Sequence, residues 1–172
     1  MPKEATEKAT AEKSTEVVTT TSLQESSETI AELIRIAKLT VYIYSPSLTP
    51  RIFNTNRMLD ICQEFALRRP QNKIDILVDE ASQLHKVDHQ LLKLSQRCSS
   101  RIAIKIINSE IPKRGDEFVC IDKNGYFHRP STGHVEAHCC FDNAQKTAEF
   151  LKFFHESWEL SASDSNLRSM LL

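Results

Sequence analysis

The sequence predicts a mixed α/β domain, a β-sheet flanked by helices. Three observations carry that expectation. Helical and strand-like apolar periods alternate through the first two-thirds of the chain, an Asn-Gly pair then separates two short β-rich segments, and an amphipathic segment closes the order. The chain has 172 residues, 40% apolar and 26% charged, enough for one core without disulfide or metal staples.

Residues 1–26 are mostly Lys, Glu, Thr, Ala and Ser. Such a composition buries too little to offset the entropy of ordering, so a disordered, solubilising tail is expected. The domain is expected over 27–160, with a polar C-terminal tail over 161–172. Thr29 and Glu32 have capping-box spacing, and Ile30, Leu33, Ile34 and Ala37 recur at helical intervals up to about Lys38. Leu39 to Tyr44 is β-branched and aromatic, a buried strand ended by Ser45, Pro46 and Pro50.

A second helix is expected from about Thr55 to Arg68, with Met58, Leu59, Cys62, Phe65 and Ala66 inward. Lys73 to Val78 reads as the second strand. One long helix should follow from about Ser82 to Arg97, with Leu84, Val87, Leu91, Leu94 and Cys98 on one face. Ile102, Ile104 and Ile106 alternate in a third strand. The αβαβαβ order favours a parallel sheet with helices packed upon it. Phe118 to Asp122 and Tyr126 to Arg129 then flank Lys123-Asn124-Gly125, whose Asn-Gly step suits the positive φ of a tight hairpin. Val135 to Phe141 is a further short strand. Asp142 is placed to cap a last helix reaching about Leu160, with Ala144, Ala148, Leu151, Phe154 and Trp158 at core spacing.

Composition removes several function classes. Only three glycines occur, Gly115, Gly125 and Gly133, so neither a P-loop nor a dinucleotide fingerprint can be written. The pyrophosphate loop of acetyl-CoA-dependent acetyltransferases is missing as well. The formal net charge is −1. The first 27 residues carry three Lys and five Glu, and the remainder holds 19 basic against 18 acidic side chains. That is not the positive field of a non-specific nucleic-acid binder. No stretch approaches the ~18 apolar residues of a membrane span. Met1 opens a polar segment rather than a signal peptide, and the five cysteines (62, 98, 120, 139, 140) are odd in number. A cytoplasmic protein with reduced, mostly buried thiols is expected.

The segments YIYSPSLTP, KIDILVDEASQL, SSRIAIKI, FVCIDKNGYFHRP and FLKFFHESWELS with the distal NLR, in this order and spacing, resemble one half of a phospholipase D-like domain. The resemblance covers about residues 30–172 and is strongest to an uncharacterised bacterial family of degenerate members. It implies a strand before the hairpin bearing His-x-Lys-x4-Asp, in which His attacks phosphorus, Lys clamps phosphate oxygens and Asp supports the site. Here Asp122 matches the Asp, but Glu117 stands for Lys and Gly115 for His. Glycine offers no nucleophile, and a carboxylate reverses the sign of a phosphate clamp. Pairing two copies repeats the same defect. The resemblance therefore implies a fold without the family's phosphodiesterase chemistry, commonly paired as a homodimer, and it suggests an accessory role beside an acyltransferase.

Other residues bear on alternatives. His85 and His89 have a chelating i, i+4 spacing on the expected helix, or mark a solvated face. His134, His138 and Cys140 share one face of an extended strand with Cys139 on the other, which makes them metal candidates; closure would need a further donor such as Cys120 or His128. Adjacent Cys139 and Cys140 could instead form a redox pair, though such bridges strain the backbone. Ser45 and Asp79 follow the first two strands, where open α/β sheets hold ligands. His128 and Arg129 follow the hairpin, and Arg129 suits a phosphate or carboxylate, or else a surface ion pair with Asp122 or Glu136.

The expected site therefore comprises Ser45, Asp79, Asp122, His128 and Arg129, with no catalytic residue, no cofactor and no metal assigned. The function expected is a binding or regulatory module whose partner is a protein, a second copy or a small anionic ligand, with no membrane. The alternatives are a hydrolase or phosphodiesterase rebuilt on His128 or on the His134/His138/Cys140 group, with zinc, and a weak nucleic-acid-binding protein.

Overall fold

The structure, a computed structural model, describes residues 15–161. Its elements in order are β1 (Val17–Thr20), α1 (Leu23–Ile36), β2 (Thr40–Tyr44), α2 (Pro50–Phe53), α3 (Asn56–Arg68), β3 (Lys73–Val78), α4 (Ser82–Lys86), α5 (Gln90–Arg97), β4 (Ile102–Ile106), β5 (Glu117–Ile121), β6 (Gly125–Arg129), β7 (Ala137–Cys140) and α6 (Ala144–Leu160). They build the mixed, helix-flanked sheet expected from the sequence. The seven strands lie in the order β1-β7-β6-β5-β2-β3-β4. β2, β3 and β4 are parallel, and the remaining pairings are antiparallel.

Strand alternation sorts the core into two layers. Val41, Ile43, Ile74, Ile76, Val78, Val119 and Phe127 meet the side chains of α1 to α5. Tyr44, Leu77, Phe118, Cys120, Tyr126 and Cys140 meet Phe150, Leu151 and Phe154 of α6 on the opposite face. Among the described residues, no helix is long and apolar enough to cross a membrane.

The structure corrects five local expectations. Regular structure is present before Ser27: β1 pairs with β7, and α1 begins at Leu23. Ser22 accepts from the Glu25 N–H while Glu25 accepts from the Thr21 N–H, an N-cap exchange that starts the helix seven residues before Thr29. The buried hydroxyls of Thr20 and Ser26 bond each other at 2.8 Å. Composition averaged over a polar tail hides these local partners. The rest of the expected tail, residues 1–14, and positions 162–172 lie outside the described residues.

The long helix over 82–97 is two short ones. Asp88 takes φ +52° and His89 is extended, so His85 and His89 do not share a helical face. His89 caps α5 through Nδ1, which accepts from the Leu91 N–H, and its Nε2–H donates to the Leu48 carbonyl. The α2 turn was not anticipated; Pro50 at its start fixes a helical φ. Asn143, not Asp142, caps α6, accepting from the Lys146 N–H.

At the hairpin, positive φ falls on Asp122 (+50°) rather than on Asn124-Gly125. Gly125 is needed for closeness instead. A Cβ there would stand 2.5 Å from Ile121 Cγ1 and 3.2 Å from Leu33 Cδ1.

Candidate functional site

β2 and β3 end where β5 begins and β6 finishes, so one edge of the sheet gathers Ser45, Asp79, Glu117, His128 and Arg129. The hairpin register makes Glu117 and Arg129 direct cross-strand partners. Their side chains are 0% and 3% exposed, and Arg129 Nε–H donates to Glu117 Oε1 at 2.6 Å. The other carboxylate oxygen accepts the Ser45 hydroxyl at 2.7 Å and the Thr49 hydroxyl at 3.1 Å. The Arg129 guanidinium also donates to the Thr132 carbonyl, the His134 carbonyl and Thr49 Oγ1. Two of the expected ligand contacts, Ser45 and Arg129, are thus turned into the protein and bonded there. Arg129 is no surface ion pair with Asp122 or Glu136; its partner is a buried carboxylate.

On the opposite face of the same edge, His128 Nε2–H donates to Asp116 Oδ2 at 2.9 Å, and Arg114 donates two parallel bonds to the same carboxylate. Burial alone would raise the Asp116 carboxyl, but hydrogen bonds from His128 and Arg114 bring it down to about 2. The Arg114 guanidinium lies 4.4 Å from the Phe153 ring centroid, and His128 packs on Phe150. Asp79 accepts the Tyr44 hydroxyl at 3.0 Å, and burial followed by this carboxylate raises the Tyr44 pKa.

Asp122 does not join this group. It lies beyond the far end of β5, five residues from Glu117, or about 17 Å along an extended strand. Its carboxylate accepts the backbone N–H groups of Lys38, Leu39 and Thr40, fixing the entry to β2. Gly115 has φ +75°, and a Cβ there would meet nothing within 4 Å.

The proposed metal ligands are not assembled. His134 lies in the loop before β7, His138 pairs with Thr19 and Glu136, and Cys140 Sγ faces the Thr15 carbonyl. Among the described residues, no group of three or more His, Cys, Asp or Glu is arranged to hold a metal ion. Among the described residues no disulfide forms, and Cys139 and Cys140 project into opposite layers. Burial pushes Cys62 and Cys139 up to about 12 and Cys120 upward as well, far from a reactive thiolate.

Sequence reasoning missed Thr49, Asp116, Arg114 and Tyr44. One signal was available. Equal spacing from a hairpin centred near residue 123 pairs 117 with 129, one acidic and one basic.

A family model described as a domain of unknown function, DUF7931, matches residues 22–170. The chain belongs to that family. No curated protein matches it in sequence. Among solved structures, NucT from Helicobacter pylori aligns with TM-score 0.62 at 12% identity, covering 87% of this chain and 100% of that one. Nuc from Salmonella typhimurium, a phospholipase D family member, aligns with TM-score 0.59 at 14% identity over 87% and 99% of the two chains. TrmBL2, an archaeal chromatin protein described as having a novel mode of DNA binding, aligns with TM-score 0.61 at 13% identity. That match covers 94% of this chain and 63% of TrmBL2, so the chain spans less than two-thirds of that relative. The fold is phospholipase D-like, as the sequence resemblance implied.

Proposed function

We propose that this chain is a binding module on a phospholipase D-like fold and carries no phosphodiesterase chemistry of its own. The observation that supports this reading is the buried Glu117–Arg129 pair. Phosphoryl transfer needs cations that face the substrate and a nucleophile within reach of phosphorus. At position 117, where the resemblance calls for Lys, a carboxylate is saturated by Arg129, Ser45 and Thr49. At position 115 there is no side chain. In this reading the edge that would host catalysis is a structural staple, and the partner is a protein, a second copy in a homodimer, or a small anion bound elsewhere. An accessory role beside an acyltransferase is one version of it, and mostly buried cysteines outside any disulfide are consistent with a reducing compartment such as the cytoplasm.

The test is hydrolysis of bis(p-nitrophenyl) phosphate by the purified full-length chain, with and without zinc. The expected result is release no faster than in buffer. Turnover abolished by His128→Gln, or by chelation of a stoichiometric metal, would replace this reading with a rebuilt hydrolase. TrmBL2 makes DNA a probe to include. With a near-neutral body, the chain is expected not to retain duplex at about 0.15 M salt, and retention that falls steeply with salt would favour nucleic-acid binding instead.

A further inference from the structure

The opposite edge of the sheet carries a feature that the resemblance does not use. Between the α1–β2 junction, the β5–β6 hairpin and α6 lies a groove of about 830 Å³, within the size range of small-ligand sites. Its buried lining is apolar, with Ile121 and Leu151, and Tyr42 and Phe141 are half-buried beside them. Its outer lining is also apolar. Ile36 and Leu39 are 41% and 48% exposed, among the few large apolar side chains left in water.

The charges around this groove are unequally employed. Asp122 is spent on three backbone N–H groups, and Asp142 accepts from the Asn124 amide at 3.4 Å. The side chains of Lys38 and Lys123, both exposed, take part in no ion pair among the described residues. His155 lines the groove from α6, its ring edge-on to Tyr42 at 5.0 Å. The donors left for a ligand are therefore two ammonium groups and an imidazole, set beside an apolar trough. Lysine ammonium groups pair with carboxylate and phosphate alike, but Asp122 and Asp142 share the lining, so a singly charged carboxylate is opposed less than a phosphate monoester with a charge near −2.

We infer that the groove binds a free straight-chain carboxylate, with the alkyl chain along Leu39, Tyr42 and Leu151 and the carboxylate at Lys38 and Lys123. The inference rests on the reading of the chain as a binding module and supplies the class of its ligand. Asp122 and Asp142 both oppose such a ligand; Asp122 is needed by the fold, and removal of Asp142 is expected to help.

The experiment is titration of the full-length chain with dodecanoate below its micelle concentration, followed calorimetrically. Dodecanol, acetate and anionic phospholipid vesicles are run in parallel. The expected result is saturable, one-site binding of dodecanoate alone. It should weaken at least tenfold in Lys38→Ala/Lys123→Ala and tighten in Asp142→Asn, all at surface positions that leave the fold intact. Absence of saturable binding, equal binding of dodecanol, indifference to the lysine pair, or binding to vesicles only would each overturn the inference. Such a failure leaves the binding-module reading standing while bis(p-nitrophenyl) phosphate remains uncleaved and duplex DNA unretained; turnover or salt-sensitive retention removes that reading.

Discussion

His89 illustrates how a residue with functional appearance is consumed by the fold. Its ring accepts from one backbone N–H and donates to the Leu48 carbonyl, so the neutral form is the one the structure holds. Burial lowers its pKa, outweighing the Leu48 bond. The folded state thus resists a proton that the unfolded chain accepts near pH 6.5, and its stabilising contribution is full above that pH and declines below it. Urea midpoints measured between pH 7.5 and 5 should fall, and His89→Gln should flatten that fall while costing about 1–3 kcal/mol for the lost bonds. Asp116 also loses stability as the pH falls, but there the structure holds the charged form. Its carboxyl is held at about 2, so its contribution is complete above pH ~4 and is lost as the pH falls through 2. Asp116→Asn should remove that component from the acid-unfolding curve followed by circular dichroism. Gly125 is a steric rather than conformational requirement. Gly125→Ala forces Ile121 and Leu33 aside and should destabilise by about 1–3 kcal/mol in denaturant titration.

At the scale of elements, the β-branched strands were legible almost to the residue. Lys73–Val78 matches the structure end to end because alternating Ile, Leu and Val leave no helical alternative. The split between α4 and α5 was hidden because apolar spacing runs unbroken through Leu84, Val87, Leu91 and Leu94. The left-handed Asp88 leaves no trace in such a pattern. β1 was hidden by its surroundings, four β-branched residues inside a polar stretch. It covers β7, whose other neighbour is β6. Starting the chain at Ser22 would uncover the β7 edge and its two cysteines, and size-exclusion chromatography should then show aggregation. Asp122 was legible as a motif residue but not in its task. It ties α1 to β2 from across the hairpin, a contact 82 to 84 residues apart that only the topology creates.

For the molecule as a whole, the fold is phospholipase D-like, and the edge where β5 begins and β6 ends is closed from within by Glu117, Arg129, Ser45 and Thr49. The sequence carried the opposite charges at 117 and 129, but burial decides whether they clamp a ligand or each other, and burial is not written in spacing. A staple and a functional site respond differently to removal. Functional residues are often kept at some expense of stability, so replacing them is neutral or stabilising. A buried pair broken on one side leaves an uncompensated charge and costs about 3–5 kcal/mol. Guanidinium-chloride unfolding of Glu117→Met, Arg129→Met and the double variant is the most direct measurement. The staple predicts a loss of about 3–5 kcal/mol in each single variant and recovery of most of it in the double variant, where both charges leave together. Single variants within about 0.5 kcal/mol of the native chain would contradict it and return this edge to the status of a working site.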